Sequence, residues 1–182
     1  MTDYGVGGYG FSREQGSIQN EVVICAFNYT CVLWAPTNGL NNNRQTGEPT
    51  DYSIVDSYDE NKRSIQCGGI NYCINTLREK NPNCLILMIS SPVFLQTKKG
   101  YDMSKTNVAG ESLNHFVNMQ KECCRLNYVP FLNLLEMVQF CEDDFDDDLL
   151  HYNNQGYSKL LVPSTYSSLV RNGFCRLFIN KR

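Results

Sequence analysis

A chain of 182 residues with 42% apolar and 12% aromatic side chains can build one domain with a real core, which excludes a disordered tail. Sixteen basic against nineteen acidic residues give a formal charge of -3, with no electrostatic footprint for nucleic acid or an anionic membrane surface. No apolar run approaches the roughly 20 residues of a membrane span, and the first residues carry neither the basic segment nor the apolar stretch of a secretory signal.

In chain order, the first feature is the glycine-rich turn Gly5-Val6-Gly7-Gly8-Tyr9-Gly10. A helix is predicted over 15–27, with Ile18, Val22 and Cys25 on one face. Residues 31–35 form a short apolar strand, and 40–57 a long loop that includes the asparagine run 41–43. A helix then runs from about 57 to 80, with Ile70, Ile74 and Leu77 in helical register, and Asn81-Pro82-Asn83 stops it. Residues 84–89 are apolar without alternation, as expected of a central parallel strand. A helix over 111–126 carries Leu113, Phe116, Val117 and Cys124 on its apolar face, and 128–134 is a further strand. The acidic run 142–148 reads as a solvated loop, and a last helix opens near Asn153 or Asn154 and runs towards Val170, interrupted at Pro163. Short apolar runs alternating with amphipathic segments are the signature of an α/β fold with a mainly parallel sheet, in a single domain spanning 1–182.

Nine cysteines, an odd set without C-x-x-C spacing, fit neither a zinc site nor a complete disulfide framework. Free thiols at apolar positions behave as small hydrophobes, so a reducing environment is expected. The acidic run lacks the glycine and terminal glutamate of a calcium loop, and the glycine turn lacks the Lys-Ser/Thr of a phosphate loop. No metal or cofactor is therefore assigned.

Asp148-Leu149-Leu150-His151 is the motif that carries chemistry. An imidazole acting as general base needs one nitrogen facing substrate and the other held by an acceptor, which a carboxylate three residues earlier can supply. Alone, such a pair is common enough to be an ordinary loop. Its context is informative: Asp148-x-x-His151-x-x-x-x-Gly156-Tyr157 resembles the last sequence block of the SGNH hydrolases, the GDSL-like esterases and lipases.

Tyr4-Gly5-Val6-Gly7-Gly8 resembles that family's second block, and Trp34-Ala35-Pro36-Thr37-Asn38-Gly39 stands where its third belongs. The resemblance implies a three-layer α/β/α sandwich with a flavodoxin-like sheet. It also implies His151 as base, Asp148 as its orienting partner, and Gly8 and Asn38 as oxyanion donors to an acyl or acetyl ester, including esters on carbohydrate. Pro36 and Gly39 depart from the usual Gly-x-Asn-Asp and are expected to distort the oxyanion loop.

The family's first block, a strand ending in Gly-Asp-Ser, has no counterpart after Met1, so no nucleophile is assigned. Ser12, Ser17, Ser90 and Ser91 lack a strand-to-helix elbow and are read as capping, turn or pocket residues. His115 is read as a surface or interfacial residue, and Cys25 as an apolar-faced thiol. With the first strand missing, self-association through an exposed sheet edge is expected. The partner otherwise expected is a small-molecule or glycan ester; nucleic acid and membrane are not. Two further readings stand beside the hydrolase: a non-catalytic carbohydrate-binding or structural module on the same scaffold, and a flavodoxin-like nucleotide binder.

Overall fold

The computed structural model describes residues 9–13, 17–25, 30–34, 38–90, 106–137 and 140–159. Three parallel strands, β1 (Thr30–Trp34), β2 (Leu85–Ile89) and β3 (Phe131–Leu132), form a sheet in the order β1-β2-β3. Trp34 lies opposite Ile89, and Ile89 opposite Leu132, so the three strands finish level with one another. Helix α1 (Gln19–Cys25) precedes β1 and the short α2 (Asn38–Asn41) follows it. Helix α3 (Gln66–Lys80) crosses from β1 to β2, and α4 (Leu113–Leu126) from β2 to β3. Beyond β3 come α5 (Leu134–Met137) and a helix, α6, over 154–159.

Cys31 and Leu33 alternate along β1, as Ile86 and Met88 do along β2, and so point to one face of the pleat. There they meet Val22 of α1, Ile70, Ile74 and Leu77 of α3, and Cys123 and Cys124 of α4 in one buried cluster. Leu87 points the opposite way and is also fully buried, so β2 is enclosed on both sides. This is the middle layer of an α/β sandwich, as the unbroken apolar run of this strand predicts. Each fully buried Leu or Ile here contributes about 1.5–3 kcal/mol. The thiols are packing groups: burial pushes Cys124 up to about 12, far from a thiolate at neutral pH.

Two element boundaries differ from expectation. The helix expected from about 57 begins as a 3-10 segment, Glu60–Ser64, and α3 starts only at Gln66. Ile65 between them is extended, with φ -108 and ψ 162, and the Gln66 and Cys67 N–H groups donate to the carbonyls of Gln45 and Thr46. Backbone partners from a distant loop thus satisfy donors that a local cap would otherwise serve.

The strand expected over 128–134 shrinks to two residues. Tyr128 adopts φ 52, and the Val129 N–H returns to the Cys124 carbonyl, so these positions close α4 with a left-handed cap. Asn133 ends the strand by accepting the Leu135 N–H and opening α5. Tyr128 is 92% exposed, so its left-handed backbone is uncompensated by packing. Replacing it by glycine is expected to raise stability by about 1 kcal/mol, read as a higher urea midpoint at unchanged slope.

Candidate functional site

The Asp148-x-x-His151 motif lies on a turn closed by neighbouring backbone. Phe145 and Tyr152 form an antiparallel bridge, the Asp146 N–H donates to the His151 carbonyl at 2.8 Å, and the Leu149 N–H to the Asp146 carbonyl at 2.9 Å. Leu149 takes φ 53 at the tip. Asp148 organises the turn. Its Oδ1 accepts the N–H groups of Leu150 and His151, both at 2.9 Å, and its Oδ2 lies 2.5 Å from His151 Nδ1. The imidazole is 67% exposed, and its Nε2 makes no hydrogen bond among the described residues. One ring nitrogen is held and the other is presented outward, as a base requires.

Burial raises the Asp148 carboxyl, but the two backbone N–H donors and the imidazole outweigh it and hold the group at about 2. The carboxylate form is thereby favoured in the folded chain, so its contribution to stability is present above its unfolded value of about 4 and is lost as pH falls towards 2. A carbon-detected NMR titration should find Asp148 near 2. His151→Ala should raise it only part of the way towards 4, because both backbone donors remain; a full return would assign the depression to the imidazole alone.

Apolar packing fixes where this turn sits. Phe145 and Tyr152 stack at 4.7 Å between centroids and bury themselves against Leu40, Ile89, Leu132 and Leu134. Ile89 and Leu132 are the last residues of β2 and β3, and Leu40 follows β1. The pair therefore lies at the carboxyl ends of the parallel strands, where open α/β sheets bind ligands.

Asp144 does not belong to the solvated loop expected for the acidic run, because it is fully buried. Its carboxylate accepts from Lys159 Nζ at 2.7 Å, Gln155 Nε2 at 3.0 Å and the Cys141 N–H at 2.9 Å. The Lys159 ammonium, with those donors, holds its carboxyl well below the usual range. Asn153 opens α6 by accepting the Gln155 and Gly156 N–H groups, while its Nδ2 donates to the carbonyls of Asp143 and Phe145. The turn is thus tied to the helix that follows. Lys159, eight residues beyond the motif, gave no sequence signal for this role.

Asn38 stands at the start of α2 at the same end of the sheet. Its Nδ2 donates to the Tyr9 carbonyl at 3.0 Å, and a methyl placed on Gly10 would lie 3.4 Å from the Gly39 nitrogen. Tyr9 and Gly10, the described end of the glycine turn, therefore pack against the Asn38 segment. An amide has two N–H donors, and only one is spent on Tyr9. Gly8, Pro36, Thr37 and Ser91 lie outside the described residues, as do all of the first eight residues, which include Gly5 to Gly8 of the glycine turn.

The serines have structural occupations. Ser17 Oγ accepts the Gln19 N–H, and Ser90 Oγ accepts the Leu134 N–H at 2.8 Å, tying the end of β2 to α5. Ser12 Oγ is buried and meets no partner among the described residues. His115 is an exposed helix residue 3.4 Å from Glu111. No group of three metal-ligating side chains occurs among the described residues.

Comparison with known proteins places this arrangement. No family model matches the sequence, and no curated protein matches it. Solved structures do. A protein from Lactobacillus plantarum superposes with a TM-score of 0.75 at 16% identity, over 90% of this chain and 77% of that one. A possible lipase from Chitinophaga pinensis gives 0.66 at 15% identity, over 95% and 81%. A peptidoglycan O-acetylesterase gives 0.55 at 18% identity, over 86% of this chain but 41% of that one. At such identities the likeness is one of architecture: the chain folds as an α/β sandwich around a parallel sheet.

Proposed function

We propose that this is an SGNH-type ester hydrolase domain, acting on acyl or acetyl esters including those on carbohydrate. In this reading His151 is the general base, Asp148 orients it, and Asn38 with Gly8 stabilises the oxyanion. The observation that carries the reading is the held imidazole at the carboxyl ends of the strands, 2.5 Å from a carboxylate whose ionised form is locked in by backbone donors. Acyl transfer needs three parts: a nucleophile, a base for its proton, and donors aimed at the oxygen that becomes negative. The second and third have candidates here. No nucleophile is assigned to the first: among the described residues Ser17 and Ser90 are committed to backbone contacts, and Ser12 is buried with no hydrogen-bond partner.

The expected outcome is that this chain hydrolyses p-nitrophenyl acetate little above background, and that His151→Ala changes nothing. The same chain carrying an added N-terminal strand that ends in Gly-Asp-Ser should gain turnover, and His151→Ala should remove it by about 10³-fold or more. Brisk hydrolysis by the unextended chain, abolished by His151→Ala, would instead reveal a nucleophile within these residues.

A further inference from the structure

A second concave site lies on α3, away from the Asp148 and His151 turn. It is a cleft of about 630 Å³, within the range of roughly 300–1,000 Å³ typical of ligand sites. Tyr52, Tyr58, Tyr72, Asn75, Thr76 and Glu79 are among its lining residues. Helix α3 runs back from the carboxyl end of β1 to the beginning of β2, so its last two turns, which line the cleft, are at the opposite end of the sheet from Asn38.

Three properties of the cleft point to one class of ligand. Its aromatic side is built rather than incidental: Tyr52 and Tyr58 meet edge to face at 5.8 Å, and Tyr52 and Tyr72 at 5.4 Å. Tyr52 and Tyr58 both hold left-handed backbones, φ 53 and 58, in a turn secured by Asp56, whose carboxylate accepts the N–H groups of Tyr52, Ser53 and Tyr58. Left-handed tyrosines cost conformational energy, and structures retain such strain chiefly where it pre-positions a binding surface.

The site is not a cage for a cation, because it already has one: the Arg63 guanidinium sits 3.6 Å from the centre of Tyr72 and 5.9 Å from that of Tyr52. Nor are its charges gathered into an ion site: Arg78 and Lys80 against Glu79 leave a single positive charge, and Glu79 and Lys80 are exposed to solvent. The Arg78 guanidinium is committed to the Asn127 carbonyl, and the adjacent Glu79 and Lys80 are of opposite sign and make no hydrogen bond or ion pair among the described residues.

What remains is the exposed Tyr58 ring, beside Asn75, Glu79 and Lys80 side chains whose amide oxygen, carboxylate and ammonium make no hydrogen bond among the described residues, in an open groove. A pyranose ring has the complementary character, an apolar C–H face for an aromatic ring and an equatorial belt of hydroxyls that donate and accept. We propose that this cleft binds a neutral oligosaccharide chain. The proposal does not rest on the ester hydrolase reading; a glycan bound here would tether the domain to a polymer without occupying the His151 end.

The test titrates the intact chain with the tetrasaccharides of cellulose, xylan and chitin by calorimetry, and maps the amide shifts of the ¹⁵N-labelled protein. Binding of at least one of the three is expected, with the perturbed amides concentrated in 52–58 and 72–80. Tyr58→Asn keeps a residue that tolerates the left-handed backbone while removing the ring, and should weaken binding about tenfold at unchanged melting temperature. Glu79→Ala, on an exposed helical position, should weaken it as well, and serves if the first variant fails to fold. His151→Ala should leave affinity unchanged. The proposal is overturned if none of the three sugars binds, if affinity survives both cleft substitutions, or if the shifts fall on 145–152 and His151→Ala removes them.

Discussion

Gly156→Ala is expected to destabilise the chain by about 3 kcal/mol and to dislodge the His151 turn. A methyl at this position would lie 2.1 Å from the Asp144 carbonyl oxygen and 2.8 Å from Tyr152 Cδ1. The first contact is with backbone, so no rotamer change relieves it, and the helical preference of alanine returns only about 1 kcal/mol. Helix α6 must then move off residue 144, which breaks the Asn153 N–H bond to the Asp144 carbonyl and separates Lys159 from its buried partner. Urea unfolding gives the loss directly. The His151 ring resonances in NMR should shift towards those of an unstructured histidine even under native conditions. A variant as stable as the parent would mean that α6 does not pack on Asp144 in this way.

Gly69→Ala is expected to cost about 2 kcal/mol in the first turn of α3. Here the added methyl would lie 2.1 Å from the Phe11 carbonyl oxygen and 3.0 Å from Gln19 Nε2. That carbonyl accepts Gln19 Nε2 at 2.6 Å, and Phe11 itself is buried in the main core cluster. Displacing it moves the segment that leads from the glycine turn, and with it Tyr9, whose carbonyl holds Asn38. The substitution therefore reports on the surroundings of Asn38 through stability, without any need for turnover. It is read by urea midpoint together with loss of protection at the Ile18 amide, which donates to the Gly10 carbonyl. An unchanged midpoint would show that α3 and the 10–13 segment are not in contact.

The elements best read from sequence are those whose burial follows a local period. Ile70, Ile74 and Leu77 recur at helical spacing and are all fully buried in α3, and the Leu113, Phe116 and Val117 face of α4 is likewise inside. The central strand was legible because Ile86, Leu87 and Met88 are apolar on both faces. Where local pattern and tertiary hydrogen bonding compete, the pattern misleads. The helix expected from about 57 is cut back to Gln66 by backbone donors turning to Gln45 and Thr46, and the strand expected at 128–134 gives way to a helix cap and the opening of α5.

The candidate site divides along the same line. Asp148 and His151 do meet, since three residues around a tight turn put a carboxylate beside an imidazole and two backbone N–H groups; the spacing alone, common in ordinary loops, did not single them out, and the resemblance of its context did. The alternation of apolar runs with amphipathic segments likewise pointed to an α/β fold with a parallel sheet. Which end of the sheet the pair occupies was decided by Phe145 and Tyr152 packing on the ends of β2 and β3, contacts between residues more than ten apart in sequence. The burial of Asp144 by Lys159, and the grouping of Tyr52, Tyr58 and Tyr72 into one cleft, were decided in the same way. Periodicity reports only which face of an element seeks the core; which faces meet is settled by packing the whole chain at once, and that information exists only in three dimensions.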